Sequence, residues 1–551
     1  MTQFPVLSVI VFLPLLGGLG ATLLPRMAAW GWALACALAD LGLVIWLATQ
    51  FDPASAGLQF AEAQPWIQGF GISYALGVDG INLWLIGLNA LLTVVAIGAS
   101  WRLVRATNHP RQYLLFMLVL ATGMQGVFLA TNLFLFYVFW ELMLVPAYLL
   151  VGMFGGPRRT YAAIKFVLYT AIGSLLMLVG IIATGAVVSA ATHQPFTLDY
   201  AALLFGGVPA DAQIWLFLAF FAAFAVKAGL FPLHSWAPDA YAEAPIPALV
   251  LIAGVMAKTG VYGFIRFAIP LFPQAAHTLT PLMEWLAAIS ILYFAVLALV
   301  QTDFKRLLAY VSISHMGVIV LGLFALNFQG VEGGLLQMVN HGITIAALFL
   351  IAGWFETRTG TRQLADFGGL AARVPALTTI FLIAALSALG LPGLNSFSGE
   401  FLAFLGVFHA NVLFGVLGTA VVIPAAWYML RFFQGVTAGP VVASGPVAVA
   451  LAVPAGVPVE AVVGGSATGA ARGGRAAARA AKVTGRARSG VRDLLPGELL
   501  VILPLLALIV YLGVQPGMLV SRMESSVART LCARFIGVAP EACFGPGART
   551  P

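Results

Sequence analysis

The chain has 551 residues, of which 61% are hydrophobic and 9% charged, with a mean hydropathy of +1.00. Soluble domains carry about a quarter charged residues, so a soluble fold is excluded, and repeated apolar runs of about 20 residues mark an all-α polytopic membrane protein. A net charge of +7 would suggest nucleic acid in a soluble protein; here the basic residues sit mostly in loops of one side, which reads as membrane orientation, with no nucleic-acid partner.

Fourteen spans are predicted, at about 6–25, 30–50, 78–100, 112–130, 132–154, 161–189, 213–236, 247–270, 280–301, 305–326, 332–356, 375–407, 411–433 and 496–520. The apolar N-terminus lacks a basic region ahead of it and is followed by Arg26, so it reads as a first span and not a signal peptide. The seventh span meets Pro232 at Phe231-Pro232, and the twelfth is interrupted at Leu391-Pro392-Gly393. Proline deletes a backbone donor and clashes with the preceding turn, so both helices are expected to break there. Two broken helices five spans apart suggest an inverted five-helix repeat. The organisation is then 1–111, three N-terminal helices; 112–270 and 271–435, the two repeats; 436–495, an insertion rich in Ala, Gly and Arg; 496–520, the last span; and 521–551, a tail.

Orientation follows from Lys and Arg. Arg26, Arg102, Arg105, Arg111, Arg158, Arg159, Lys165, Lys305, Arg306, Arg358, Arg362 and Arg373 lie on one side, while loops 51–77, 190–212, 271–279 and 327–331 contain neither residue type. The first side is therefore cytoplasmic and both termini lie outside. The segment from His234 to Pro247 breaks the rule. It is read as a cytoplasmic loop, yet it has no basic residue and two acids, Asp239 and Glu243, so His234, Asp239 and Glu243 are candidates for a packing or functional role. The basic half of the insertion, Arg472 to Arg492, reads either as an arm on anionic lipid headgroups or as a spacer that obeys charge topology.

The chain is organised around residues 213–267, where Lys227 and Lys258 sit on two successive spans. A lysine at a bilayer centre costs roughly 2.5–3.5 kcal/mol, so such residues are retained for a purpose. Glu141, His315, His341 and Glu400 are placed at similar depth on other spans. Together they form a row of titratable groups along the membrane plane, as a proton path requires, and an ion pair of Glu141 with Lys227 that opens and closes would bias the row. A structural ion pair or interhelical hydrogen bond is the alternative for each, weightiest for the two histidines. Asp40 lies outside the repeats and is expected to make a local hydrogen bond.

The string KAGLFPLHSWAPDAYAEAPIPALVLIAGVMAKTG resembles the signature of the antiporter-like subunits of respiratory complex I, shared with multi-subunit cation/proton antiporters and membrane-bound hydrogenases. With FWELMLVPAYLL, SHMG, VNHG and LPGLNSFSGEF, the chain is most similar to the M-type members, whose twelfth helix carries glutamate where L and N types have lysine. The resemblance implies a fourteen-helix subunit of a bacterial inner-membrane NADH:quinone oxidoreductase, beside L-like and N-like subunits and membrane lipids. It would translocate protons driven by quinone reduction elsewhere, with no redox centre or cofactor of its own. It implies Glu141 as the modulating partner of Lys227, Lys258 and the histidines as the central relay, and Glu400 as the exit-side group. A subunit of a cation/proton antiporter or hydrogenase would use the same residues and stays open as the alternative. The chain departs from the family where Tyr241 replaces the histidine of W-L-P-D-A-H, and in its Arg-rich insertion.

Three cysteines, Cys36, Cys532 and Cys543, are too few for an iron–sulfur cluster, and no phosphate-binding loop or dinucleotide fingerprint is present, so no cofactor or metal is expected. Cys532 and Cys543 fall in the outer tail, where cysteines tend to pair, so a disulfide is expected there.

Overall fold

The structure is a computed structural model that describes residues 4–55, 57–440, 447 and 492–531. Cys532, Cys543 and nearly all of the Ala/Gly/Arg-rich insertion lie outside these residues. Helices α1 (Val6–Leu23) and α2 (Arg26–Gln50) begin after prolines, and the side chain of Glu62 accepts from the amides of Leu7 and Ser8 at 2.7 and 3.1 Å, satisfying two free donors of the first turn of α1. Glu62 belongs to a hairpin, β1 (Gln59–Ile67) paired antiparallel with β2 (Ile72–Val78), where the sequence reading placed only a loop. Its signal is the alternation Ile72, Tyr74, Leu76, Val78, and Gly71 turns the chain with φ +57°.

Next come α3 (Leu83–Ala99), the short α4 (Trp101–Ala106), α5 (Pro110–Leu129), α6 (Leu133–Phe154), the 34-residue α7 (Arg159–Thr192) and the short α8 (Tyr200–Gly206). The side chain of Asn132 caps α6, accepting from Phe134 and Leu135 at 3.0 and 3.3 Å. Helices α9 (Ala210–Ala228) and α10 (Trp236–Glu243) are the two parts of the first broken helix. Then follow α11 (Ile246–Leu271), α12 (Pro273–Val300), α13 (Phe304–Phe324) and α14 (Phe328–Thr359). The second broken helix is α15 (Pro375–Ala388) with α16 (Asn395–Ala410), and α17 (Val412–Thr437), α18 (Pro496–Val514) and α19 (Gly517–Leu531) complete the described chain.

Among the described residues, twelve helices are long and apolar enough to cross a membrane; α3 and α15 are apolar but shorter, at 17 and 14 residues. The chain is thus a membrane-embedded, multi-pass helical protein. The apolar middle stretches of helices α11 and α14 are enclosed by their neighbours, so polar side chains there are shielded from lipid.

The two breaks share a backbone design. Gly229 and Gly390 take up left-handed φ values of +72° and +70°, the conformation that favours glycine just past a helix end. The amide of Gly229 donates to Val226 O and that of Leu230 to Ala225 O; Gly390 donates to Ser387 O and Leu391 to Leu386 O, at 3.0–3.1 Å throughout. Each helix is therefore closed by the same pair of bonds. The Phe231–Pro232 bond is cis.

One expectation is corrected here. The seventh helix stops at Ala228, well before 236, and the acidic segment is not a loop but the buried helix α10. The indole of Trp236 donates to Val226 O at 2.8 Å, which pulls α10 back onto the carbonyl end of α9. Tyr241, fully buried, packs edge-on against Trp236 and Phe349.

Candidate functional site

Lys227 lies one residue before the end of α9 and is 1% exposed. The expected ion pair with Glu141 is not formed. The ammonium instead rests over the Trp140 ring, 4.9 Å from its centroid, with no hydrogen-bond partner among the described residues, and one carboxylate oxygen of Glu141 is equally unpartnered. Trp140 and Glu141 are consecutive on α6, so one turn of helix offers the lysine both a ring face and a negative charge.

Lys258 is fully buried on α11 and donates to Ala253 O at 2.7 Å. The backbone widens into a π-turn at Ile252–Met256, directly before it, a distortion that recurs at functional sites. Helices α9 and α11 touch at Gly260, where a Cβ would fall 2.6 Å from Phe224 O and 3.2 Å from Lys227 Cβ, so the two lysine-bearing helices are in backbone contact.

Helix α14 meets α11 where a Cβ on Gly342 would fall 2.8 Å from Gly254 O, and the preceding residue is His341, 3% exposed, with neither ring nitrogen hydrogen-bonded among the described residues. Its ring stacks on His315 of α13, with centroids 5.4 Å apart. His315 Nδ1 lies 2.9 Å from Glu400 Oε1, and Gln337 Nε2 donates to the same oxygen at 2.9 Å. A small cavity of about 10 Å³, room for about one water, is lined by His315, His341, Thr344 and Ser396. Of the six expected residues, His341, His315 and Glu400 are thus in direct sequence, and Lys227 rests against the ring of Trp140, the neighbour of Glu141.

The second break is surrounded by a polar network that the sequence reading did not single out. Thr344 and Ser387 share a hydrogen bond at 2.7 Å, Ser387 donates to Asn395 Oδ1 at 2.7 Å, Asn395 donates to Asn340 O at 3.1 Å, and Asn340 donates back to Asn395 O at 2.6 Å. Pro392 sits in the connection between α15 and α16. The carboxylate of Glu400 reaches back to it: a Cβ on Gly390 would fall 2.8 Å from Glu400 Oε2.

The acids of α10 meet the basic side. Asp239 binds Lys165 at 2.8 Å and also Arg306; Glu243, 3% exposed, accepts from the Arg158 amide at 2.9 Å and lies 3.9 Å from the Arg158 and Arg362 guanidinium groups. The segment carries acids and no bases because it supplies counter-charges to four neighbouring bases. His234 is not in this cluster; its ring packs on Phe294 at 4.5 Å and on Phe231. Asp40 accepts a hydrogen bond at 3.3 Å from Gln125 of α5, 85 positions away and so not the local bond expected.

One charged pair was missed. Arg266 and Asp79, 7% and 5% exposed, form a two-pronged ion pair with both contacts at 2.7 Å. Arg266 also donates to the Tyr262 hydroxyl at 2.9 Å, which in turn donates to Phe128 O at 2.7 Å. Arg266 sits in a second π-turn, Phe264–Ala268. The signal was an arginine inside a predicted span, as anomalous there as Lys258.

Residues 130–423 match the family model described as NADH:quinone oxidoreductase/Mrp antiporter, TM. The chain is 40% identical over 450 residues to NADH-quinone oxidoreductase subunit M of Rhodobacter capsulatus, covering 79% of this chain and 87% of that one. It is 33% identical over 543 residues to the subunit M of Rickettsia bellii, covering 97% and 100%. Among solved structures it resembles a chain of respiratory complex I from Thermus thermophilus with bound NADH, with a TM-score of 0.79, 32% identity, and 95% and 99% of the two chains covered. A chain of the Mrp complex from Dietzia sp., 20% identical with a TM-score of 0.76 over 96% and 98%, shares the fold.

Proposed function

The chain belongs to the NADH:quinone oxidoreductase/Mrp antiporter family as a proton-translocating membrane subunit of the oxidoreductase, and we propose that the row from Glu141 to Glu400 is its proton path. The observation that carries this reading is a set of buried and half-buried titratable groups on the helices α6, α9, α11, α14, α13 and α16, with direct contacts running from His341 to His315 to Glu400. Buried charge in a membrane is costly, and six such groups in one chain are accounted for by proton transfer.

In this reading Glu141 and Trp140 compete for the Lys227 ammonium. When the lysine rests on the ring, as here, one carboxylate oxygen of Glu141 has no hydrogen-bond partner among the described residues. The Coulomb energy of unit charges 4 Å apart at an effective dielectric of about 20 is about 4 kcal/mol relative to wide separation, which is the upper bound on what moving the ammonium from the ring to the carboxylate can supply. A bias of at most that size moves a proton-transfer equilibrium by up to about a thousandfold. Lys258, His341 and His315 relay the proton and Glu400 receives it before release. Gln337 holds the Glu400 carboxylate by a hydrogen bond, Gly390 leaves room for it where a side chain would collide, and the polar network around Asn395 satisfies the α15–α16 connection inside the protein.

The finer assignments belong to the same proposal. The subunit sits in a bacterial inner membrane with both termini on the outer face, between L-like and N-like neighbours and lipid, and the redox centres are carried by other subunits. The relatives named as oxidoreductase subunits, at 33–40% identity, favour this over an antiporter assembled without electron transfer. The test is Glu141→Gln in the assembled complex. Coupled quinone reduction and proton pumping are expected to fall at least about tenfold, and near-normal activity with assembly intact would remove Glu141 from the path.

A further inference from the structure

Outside the row, α2 carries a buried acid with no role in the path. Asp40 stands in the middle of that helix, 2% exposed, and among the described residues no lysine, arginine or histidine forms an ion pair with it. The bond that its Oδ2 accepts from Gln125 Nε2 is long, at 3.3 Å, and its Oδ1 has no partner among the described residues. An ionised carboxylate so placed would keep its desolvation cost almost whole.

Gln125 is equally incomplete. It is fully buried on α5, and its amide nitrogen donates both to Asp40 on α2 and to Ile86 O on α3, the latter at 3.4 Å. These two bonds use both amide hydrogens, and Oε1 is left with no donor among the described residues. The two orphaned oxygens, Asp40 Oδ1 and Gln125 Oε1, therefore belong to groups already joined by a bond. Both groups are planar, so with Nε2 against Oδ2 the remaining oxygens meet when the planes align. Two bare oxygens repel, whereas one proton between them joins them. A protonated carboxyl donates as well as accepts, so a proton on Oδ1 removes the charge and gives both oxygens a partner.

The surroundings offer that proton no onward step. Helices α1 and α3 contain no titratable side chain, and α2 has only Arg26 and Cys36 besides Asp40. Helix α5 has Arg111 and Tyr113, fourteen and twelve positions from Gln125, so the nearer is about 18 Å away along the axis. Helix α4 meets α2 at Arg26, fourteen positions from Asp40. In the row, by contrast, His341, His315 and Glu400 follow one another in contact.

We propose that Asp40 is a neutral carboxylic acid, the site of one proton that does not exchange during turnover. The proton is shared with Gln125 in a closed acid–amide ring, which fastens α2 to α5 and, through Ile86, to α3. It is taken up as the chain folds, and no bond to it is broken afterwards. This assignment stands or falls independently of the proton path.

The test uses the whole complex, reconstituted in liposomes, with Asp40→Asn and Asp40→Ala. Assembly on native gels, NADH-driven proton translocation and infrared spectra are recorded for each. Asparagine presents an N–H where the protonated carboxyl presents its O–H, so Asp40→Asn is expected to keep assembly and translocation within about twofold of the wild type. Its spectrum should lack one protonated-carboxyl C=O band that the wild type shows at neutral pH. Asp40→Ala leaves the Gln125 amide unpaired in the interior and should lower the amount of assembled complex about fivefold or more. A wild-type spectrum without that band overturns the proposal, as does Asp40→Asn assembling as poorly as Asp40→Ala, since the charge would then be needed. Normal assembly with lost translocation in Asp40→Asn would mean that the proton does exchange, and normal assembly of Asp40→Ala that the ring fastens nothing; either overturns it. Thermal stability that rises with sodium in the wild type but not in Asp40→Asn would put a cation where the proton is placed, and overturn it as well.

Discussion

The two broken helices close with the same glycine-centred turn, yet they treat their charged residue in opposite ways. At the first break Lys227 precedes the turn, sits on an aromatic face and has no hydrogen bond. The released backbone is satisfied sparingly, with Phe231 N donating to Ser290 Oγ at 2.9 Å and Trp236 reaching Val226 O. At the second break Glu400 follows the turn, touches His315 and Gln337, and stands beside a network built from Asn340, Thr344, Ser387 and Asn395. The first charge lacks a hydrogen-bond partner among the described residues and the second has two. A buried charge without a partner leaves its desolvation uncompensated and so gains from any partner it can reach, whereas a charge held by two neighbours keeps one geometry.

The largest effect that would break this contrast is expected at Lys227. Lys227→Met removes the titratable group but no hydrogen bond, so the complex should assemble at the normal level while coupled quinone reduction falls by about a hundredfold, within the range for loss of a proton-transfer group. Failure to assemble would mean that Lys227 is structural and that the first break is held as firmly as the second.

Glu400 comes next. Glu400→Ala should abolish most of the activity, and Glu400→Lys should retain more of it than Glu400→Ala, because the site needs a group that can carry a proton more than it needs a given sign. The ammonium would face His315 and the Gly390 turn, so retention is expected to be partial, about a tenth of the normal rate or more. Equal and complete loss in both variants, with assembly intact, would show that the fixed carboxylate geometry is itself required.

Stability should separate the breaks in the other direction. Asn395→Ala removes the side chain that accepts from Ser387 and donates to Asn340 O, leaving buried groups unpaired. Each such loss costs about 1–3 kcal/mol, so the thermal midpoint of the complex or its yield should drop measurably. Trp236→Phe at the first break loses one bond to Val226 O and should cost about 1 kcal/mol. Equal destabilisation would mean that the first break is also held by its polar contacts.

Most of the fold was legible because its signals are local. Apolar runs set the spans, Pro232 and Pro392 marked the breaks, and a lysine, glutamate or histidine in an apolar run announces itself without knowledge of its partner. What could not be read was long-range. Arg266 finds Asp79 across 187 positions and Asn340 finds Asn395 across 55, and neither separation leaves a pattern in the chain. The acids Asp239 and Glu243 were visible as an exception to charge topology, but their partners Lys165, Arg306, Arg158 and Arg362 come from three other segments. Helix α19 was missed for a different reason: with Arg522, Glu524 and Arg529 in 15 residues it is amphipathic, and only its contacts with Pro53, Gly80 and Trp84 fix it against the start of α3 and the segment after α2.

The smallest effect concerns the seat of Lys227, and it tests whether the first site is as loose as its missing hydrogen bonds imply. A desolvated ammonium on an indole face gains about 2 kcal/mol, more than on a phenyl ring, so the ring weighs against Glu141 in deciding where the lysine rests. Trp140→Phe keeps a ring of smaller quadrupole and should shift that balance toward Glu141 by about 1 kcal/mol, a rate change of a few-fold. Trp140→Leu removes the seat and should act in the same direction, more strongly, by up to about thirtyfold for 2 kcal/mol. The double variant Trp140→Leu with Glu141→Gln then carries the decision. If ring and carboxylate compete for one ammonium, its loss will fall short of the sum of the two single losses, because neither alternative remains to be unbalanced. Strict additivity in pumping rates, with assembly intact in all three variants, would mean that Trp140 merely packs beside Lys227 and that the lysine moves without reference to it.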